Sequence, residues 1–210
     1  MTLLVEPQDI QRPQITIPGL GIIKGILDEA QTVVKFLNVP FGVVTERWRP
    51  AAKAGPWQGV QSTQATAADP LMSMIFGTTS NMSYEEAMSE RDCLCLNIYL
   101  PASALNSDEK LPVCVWICGG GYKAGSVTSP VYDCTQMVSA SIEQKKPIIM
   151  VSISYRVNFF GFISSKELVL DARTYAKAVP GDQRRWYNAS VGNWGILDQI
   201  LGLEWVRVRP

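Results

Sequence analysis

The sequence predicts an α/β protein in which parallel strands lie at the centre of a sheet and helices cover both faces. Two apolar runs, residues 113–118 and residues 148–153 with Ser152 as the one polar position of the second, are typical of parallel strands that are buried on both faces. Residues 133–144, between the two runs, have the pattern of a helix. The segment 113–153 is therefore a predicted strand–loop–helix–strand unit, a connection that is right-handed almost without exception.

The helix over residues 133–144 has recognisable ends. Asp133 can cap its N-terminus, Lys145 and Lys146 suit the dipole at its C-terminus, and Pro147 ends it. A second helix is predicted over residues 195–208, because apolar side chains recur there at helical spacing. These side chains are Leu197, Ile200, Leu201, Trp205 and Val208.

Four more strands are predicted upstream of the parallel pair, at residues 15–17, 20–26, 33–39 and 94–100. Residues 1–14 are polar and contain proline, which predicts a loose N-terminus. Residues 42–90 are rich in Gly, Pro, Ala, Ser and Thr, which favours long surface loops with short helical turns. We interpret residues 1–210 as one domain.

Composition excludes several classes of partner. Nineteen Lys and Arg residues balance nineteen Asp and Glu residues, which gives no reason to expect nucleic acid or an anionic membrane. No apolar run reaches the roughly 18–20 residues of a transmembrane helix. The N-terminus lacks a basic start, and Glu6 and Pro7 interrupt its apolar stretch, so we predict no signal peptide and a cytoplasmic location.

The residues that usually carry nucleophilic catalysis are scarce. The chain has no histidine, the usual base of a Ser-His-acid or Cys-His mechanism. Its five cysteines have neither zinc-site nor Cys-x-x-Cys spacing, and we interpret them as small buried apolar residues of a reducing compartment. No metal site is predicted.

The strongest candidate site is the run of three glycines, Gly119, Gly120 and Gly121, directly after the strand 113–118. Glycine accepts positive φ and has no Cβ, so the backbone can turn sharply and present its N–H groups outward. Such groups can bind the oxyanion that develops in acyl transfer. The alternatives are a plain tight turn, or a site in which Cys118 is the nucleophile, although the chain contains no histidine to activate that thiol.

A competing motif lies near the N-terminus. Residues 19–25 fit the spacing Gly-x-Gly-x-x-x-Gly, a variant of the dinucleotide-binding fingerprint. That function requires a strand before the motif and a helix that opens within it. Pro18 abuts the first glycine and β-branched residues follow it, which favours a β-hairpin.

Six ordered segments resemble the type-B carboxylesterases, the α/β-hydrolases that include cholinesterases and some fungal lipases. They are 36–41 (Phe-Leu-Asn-Val-Pro-Phe), 47–50 (Arg-Trp-Arg-Pro), 92–99 (Asp-Cys-Leu-Cys-Leu-Asn-Ile-Tyr), 111–122 (Leu-Pro-Val-Cys-Val-Trp-Ile-Cys-Gly-Gly-Gly-Tyr), 151–157 (Val-Ser-Ile-Ser-Tyr-Arg-Val) and 192–199 (Gly-Asn-Trp-Gly-Ile-Leu-Asp-Gln). The resemblance implies an α/β-hydrolase fold in incomplete form: a small N-terminal β region and the first strands and helices of the central, mostly parallel sheet.

The resemblance also implies roles by position. Gly120 and Gly121 correspond to the oxyanion donors, with Gly119 and Tyr122 beside them, and no cofactor or metal is implied. The family's nucleophile lies in a Gly-x-Ser-x-Gly segment, which this chain lacks, so no member of the catalytic triad is present. The chain is similar to the first third to half of a full-length member.

Three further features follow from the resemblance. Arg156 and Asp198 correspond to a structural ion pair. The family's early disulfide would join Cys93 to a residue near Met72, so that bridge is expected to be absent. Residues 169–190 correspond to an insertion, which we interpret as a surface loop, with a retained intron in the gene as the alternative.

Two functions are compatible with these features. The first is a carboxylic-ester hydrolase of the serine esterase or lipase type that acts on small-molecule esters, with this chain alone inactive. The second is a non-catalytic, truncated paralogue that acts as a binding or interaction protein. In the usual strand order of the fold, the nucleophile strand pairs with residues 113–118. Without it this apolar strand becomes an edge that is prone to aggregation.

Overall fold

A mixed five-stranded sheet with helices on both faces is the centre of the computed structural model. The structure describes residues 12–62, 93–125, 127, 130–178 and 191–208. The strands in these ranges are β1 (Gln14–Ile17), β2 (Gly21–Lys24), β3 (Ile26–Leu27), β4 (Val33–Pro40), β5 (Gly42–Val43), β6 (Ala52–Lys53), β7 (Val60–Ser62), β8 (Cys95–Pro101), β9 (Val113–Ile117) and β10 (Ile149–Ile153). The α-helices are α1 (Thr135–Glu143), α2 (Asn158–Phe162), α3 (Lys166–Ala178) and α4 (Trp194–Val208). Two 3-10 turns span Ala102–Asn106 and Pro130–Tyr132.

The central sheet has the strand order β3-β4-β8-β10-β9. Its parallel pair is β9 and β10, as predicted, with Val115 opposite Val151 and Ile117 opposite Ile153. The other neighbours, β3–β4, β4–β8 and β8–β10, pair antiparallel. The α/β fold class is confirmed, but the part of the sheet described here is mixed rather than mostly parallel.

Alternation along the strands gives the sheet two buried faces, because successive side chains point to opposite sides. On one face Val33, Tyr99 and Met150 pack against Val138 of α1. On the opposite face a second cluster packs against Leu201 and Trp205 of α4; it includes Val34, Phe36, Leu96, Val151 and Ile153. Each fully buried side chain of this size stabilises the fold by about 1.5–3 kcal/mol.

β9 differs from the strand predicted for it. Val113, Trp116 and Ile117 are 48%, 44% and 38% exposed, so the expectation that residues 113–118 are buried on both faces is wrong for the strand itself. β9 is the last strand of the sheet, and within the described ranges no strand pairs with its outer edge. An apolar sequence does not bury a strand that lacks neighbours.

The two predicted helices are present with small shifts. α1 begins at Thr135 with Cys134 as N-cap, and the Asp133 carboxylate accepts the Thr135 N–H at 2.8 Å, one residue earlier than a standard cap. α1 ends at Glu143, before Lys145, which has a φ of 56°. α4 begins at Trp194, one residue before the prediction. No helix of the described residues is long and apolar enough to cross a membrane.

The glycines of residues 19–25 form a hairpin. β1 and β2 pair antiparallel around a turn at Gly19, which has a φ of 72°. A Cβ at Gly21 would lie 2.5 Å from the indole nitrogen of Trp57, whose N–H donates to the carbonyl oxygen of Ile22 at 3.0 Å. Because a strand follows the first glycine where a dinucleotide site needs a helix, nucleotide binding at this motif is excluded.

The segment predicted as an inserted loop over 169–190 is partly helical. α3 covers residues up to 178, so the loop prediction is wrong for 169–178, and 179–190 lie outside the described residues. Tertiary contacts explain the difference: the Arg49 guanidinium pairs with Asp171 and lies 4.7 Å from the centre of the Tyr175 ring. The Ser165 hydroxyl also accepts the Leu168 N–H at 3.2 Å, which caps the first turn.

Candidate active site

The glycine loop leaves β9 in a conformation that L side chains rarely adopt. Gly120 and Gly121 have φ values of 130° and 62°, and Tyr122 follows at 61°. A Cβ at Gly120 would overlap the carbonyl oxygen of Ala124, whereas one at Gly121 would meet no atom within 4 Å. Position 120 therefore requires glycine for both space and backbone angle, and position 121 for backbone angle alone.

The first two carbonyl groups of the loop are held by tyrosine hydroxyls. Tyr155, which follows β10, donates to the carbonyl oxygen of Cys118 at 2.8 Å. Tyr132, at the end of a 3-10 turn, donates to the carbonyl oxygen of Gly119 at 3.2 Å. Both acceptors are thereby turned towards the body of the protein.

The next carbonyl groups are held by backbone N–H groups. The carbonyl oxygen of Gly120 accepts from Lys123 at 3.1 Å and from Ala124 at 3.3 Å, which closes a tight turn. The carbonyl oxygen of Tyr122 accepts the Asn158 N–H of α2 at 2.6 Å. The loop is therefore fixed at several points to elements that surround it.

Fixing these carbonyl groups also directs the N–H groups. In a trans peptide the N–H of one residue points opposite to the carbonyl group of the residue before it. The Gly120 and Gly121 N–H groups therefore point away from the donors that hold the Gly119 and Gly120 carbonyl oxygens. Both glycines are exposed, and no described residue accepts a hydrogen bond from either N–H. Two adjacent N–H donors are therefore without an acceptor in the described part of the chain.

Cys118 has no nucleophilic character in this structure. Its side chain is 3% exposed and packs with Val127 and Tyr155 beneath the loop. Burial, with a smaller contribution from Cys95 and Cys134, raises the pKa of its thiol to about 12. Since the thiolate is the reactive form, the alternative in which Cys118 attacks a substrate is not supported.

Tyr122 forms one wall of an open groove beside the loop. Its side chain is 52% exposed, and its ring lies 4.9 Å from the Phe162 ring and 6.2 Å from the Tyr155 ring. The groove has a volume of about 330 Å³ and is lined by Gly121, Tyr122, Lys123, Asn158, Phe159, Phe162 and Ile163. Sequence reasoning named Tyr122 but missed the residues of α2, whose aromatic run Asn-Phe-Phe-Gly-Phe was the available signal.

Arg156 and Asp198 form the predicted ion pair in the core. Arg156 Nε and Nη2 donate to the two carboxylate oxygens of Asp198 at 2.7 Å and 2.8 Å, and the Arg156 backbone N–H donates at 3.1 Å. The remaining contact, from Nη1 to the carbonyl oxygen of Arg49, is 2.8 Å. The two residues are 4% and 0% exposed, so this bidentate pair is shielded from water.

Two glycines let helices approach this ion pair. A Cβ at Gly161 of α2 or at Gly195 of α4 would overlap the carbonyl oxygen of Arg156. α2 and α4 therefore meet at the residues that follow β10, and α2 in turn holds the loop that follows β9. The ion pair itself does not line the groove beside the glycine loop.

Across the described residues no group of three or more His, Cys, Asp or Glu side chains could hold a metal ion. The expectation that Cys93 lacks its family disulfide concerns a partner position, 72, that lies outside the described residues.

Comparison with known proteins agrees with this architecture. Residues 11–172, more than half of the chain, match the carboxylesterase family. The chain is 35% identical over 187 residues to a liver carboxylesterase of Sus scrofa, covering 85% of this chain and 28% of that protein. It is 33% identical over 215 residues to secreted lipase 1 of Botryotinia fuckeliana, a match that covers 92% of this chain and 33% of that protein.

Solved structures show the same fold. A carboxylesterase of Geobacillus stearothermophilus has a TM-score of 0.64 at 30% identity, with 94% of this chain and 34% of that chain covered. EstA of Aspergillus niger has a TM-score of 0.65 at 27% identity, with 93% and 32% covered. The chain thus spans about a third of the length of these relatives, in the α/β-hydrolase fold. The resemblance seen in the six sequence segments is confirmed: the chain belongs to the carboxylesterase family.

Proposed function

We propose that these 210 residues supply the oxyanion-binding half of a carboxylic-ester hydrolase. One observation carries the proposal: the Gly120 and Gly121 N–H groups are exposed, adjacent and without an acceptor in the described part of the chain. When a serine attacks the acyl carbon of an ester, the carbonyl oxygen becomes an oxyanion, and two such donors stabilise it. Removal of a single donor of this kind costs about 10²–10³ in kcat.

The same residues do not supply the other half of the reaction. The sequence contains neither histidine nor a Gly-x-Ser-x-Gly segment, and the thiol of Cys118 is buried with a raised pKa. A nucleophile and a base must therefore come from another stretch of polypeptide. We expect no ester turnover from the 210 residues by themselves.

Oxyanion binding is tested by adding methylphosphonate, a tetrahedral oxyanion, to the 210-residue chain and following the amide signals by NMR. We expect the Gly120 and Gly121 amide signals to shift together and to saturate. Gly120→Ala is the matched variant, because its Cβ would overlap the Ala124 carbonyl oxygen and displace the loop. If neither the Gly120 nor the Gly121 amide signal shifts in the wild-type chain, the proposal is wrong.

Turnover is tested with a p-nitrophenyl ester. We expect the wild-type chain and the Gly120→Ala variant to release p-nitrophenol at the same rate, equal to the rate in buffer. A wild-type rate above that of the variant would show that the chain contains a nucleophile that the sequence does not reveal.

The exposed edge of β9 favours a second candidate function, in which the chain binds an extended apolar segment of a partner polypeptide. Val113, Trp116 and Ile117 line this edge, and strand addition satisfies the free backbone groups of such an edge. Sedimentation at several concentrations tests it. A chain that stays monomeric, with β9 amides that exchange freely and do not change when apolar peptides are added, rules this function out.

A further inference from the structure

Tyr132 lies against the glycine loop without being part of it. Its hydroxyl donates to the carbonyl oxygen of Gly119 at 3.2 Å, and a Cβ at Gly119 would lie 3.9 Å from that hydroxyl oxygen. Its ring lies 6.5 Å from the Trp116 ring of β9. The hydroxyl is thus held between the end of β9 and the 3-10 turn that precedes α1.

We infer that Tyr132 is a positioning residue that sets the direction of the Gly120 N–H. The carbonyl group of Gly119 and the N–H of Gly120 belong to the same planar peptide, so a donor that holds the oxygen also holds the N–H on the opposite side. The inference rests on the proposed function, in which that N–H binds the oxyanion.

Within the glycine loop, the peptide between Gly119 and Gly120 has few other restraints on its orientation. Glycine on both sides leaves it free to rotate, since neither residue has a Cβ to limit φ and ψ. The following peptide is held by two backbone donors, Lys123 and Ala124, within a turn. The Gly119 carbonyl oxygen accepts its hydrogen bond from the side-chain hydroxyl of Tyr132, and it packs against Gly125, where a Cβ would overlap it.

The hydroxyl acts through the peptide and not on the substrate. It donates on the side of the peptide opposite to the Gly120 N–H, so it does not contact an oxyanion bound there. Its loss leaves the Gly120 donor present but no longer directed. A pre-organised donor is worth more than a mobile one, because no ordering is required when charge develops.

The test is Tyr132→Phe in the 210-residue chain, which keeps the ring and its contact with Trp116. We expect the carbonyl ¹³C signal of Gly119 and the amide ¹⁵N signal of Gly120 to shift, and methylphosphonate to bind roughly threefold to tenfold more weakly, as for the loss of one neutral hydrogen bond. Signals outside the loop should superimpose on those of the wild-type chain.

Tyr155→Phe is the matched control, because it removes a hydroxyl that holds the peptide one residue earlier, between Cys118 and Gly119. In Tyr155→Phe we expect the carbonyl ¹³C signal of Cys118 and the amide ¹⁵N signal of Gly119 to shift. The Gly120 amide signal should still respond to methylphosphonate as it does in the wild-type chain. Tyr132→Met is a second variant without the hydroxyl and serves if the phenylalanine variant does not fold.

The outcomes separate this inference from the proposed function. Unchanged Gly119 and Gly120 signals in Tyr132→Phe, with unchanged methylphosphonate affinity, would overturn the role of Tyr132. If the wild-type chain fails to bind methylphosphonate, the proposed function is wrong. The carbonyl and amide signals of the variant then still show whether Tyr132 directs the peptide.

Discussion

β9 and β10 are neighbouring parallel strands with similar apolar sequences, yet they lie in different environments. Ile153 of β10 is fully buried, whereas Ile117, its register partner on β9, is 38% exposed. β10 lies between β8 and β9, while β9 has a described neighbour on one side only. The comparison shows that burial of a strand is set by its neighbours, which are remote in sequence.

The segments that follow the two strands also differ in burial: the segment after β10 is buried, and the segment after β9 is exposed. After β10, Arg156 is buried and its guanidinium donates hydrogen bonds to the Asp198 carboxylate and to the Arg49 carbonyl oxygen. After β9, Gly120 and Gly121 are exposed and their N–H groups have no acceptor within the described ranges. The residues after β10 are therefore paired within the protein, whereas two N–H groups after β9 have no acceptor in the part of the chain that the structure describes.

The largest effect is expected at the ion pair after β10. Asp198→Asn leaves the buried Arg156 cation without its counter-charge and should lower the free energy of unfolding by about 3–5 kcal/mol. Glu204→Gln is the matched control on the same helix, since Glu204 lies 3.7 Å from Lys53 with both side chains exposed. That change should cost about 0–1 kcal/mol. Urea denaturation measures both, and equal losses would contradict the structural role of the buried pair.

A smaller loss of stability is expected when the register partners Ile153 of β10 and Ile117 of β9 are truncated. Ile153→Ala removes a fully buried side chain and should cost about 2–5 kcal/mol. Ile117→Ala removes the register partner, which is already in contact with water, and should cost about 1 kcal/mol or less. Urea midpoints of the two variants test the comparison directly. A loss at Ile117 as large as that at Ile153 would mean that β9 is covered in solution.

The strands and helices of the centre could be predicted because their signals are local. The apolar runs at residues 113–118 and 148–153 were sufficient to place β9 and β10, and Asp133 and Pro147 were sufficient to bracket α1. The apolar run itself did not predict the exposure of β9, which only the resemblance indicated, because the nucleophile strand of that family pairs with residues 113–118. That exposure depends on which strands flank β9, and this is a property of the whole sheet.

Contacts between distant segments account for the other differences. Residues 169–178 of α3 were interpreted as part of an inserted loop, although the helix is rich in good helix formers. Asp171 and Tyr175 also contact Arg49, far away in the chain. In the candidate site, the three glycines were evident from sequence. The donors that hold their carbonyl groups, Tyr132 and Tyr155, were not, because nothing local to a tyrosine indicates which carbonyl group it will meet.

The smallest effect on stability is expected from thiol chemistry along β9. Cys114 is exposed on the strand, whereas Cys118 at its end is buried with a pKa raised to about 12. At pH 8 a disulfide reagent should therefore modify Cys114 quickly and Cys118 only upon unfolding, because the thiolate is the reacting species. Cys114→Ser should abolish the fast phase with a stability change within about 0.5 kcal/mol, and Cys118→Ser should leave that phase intact. A fast phase that survives Cys114→Ser but is lost when Cys118→Ser is added would show that the end of β9 is as open as the strand.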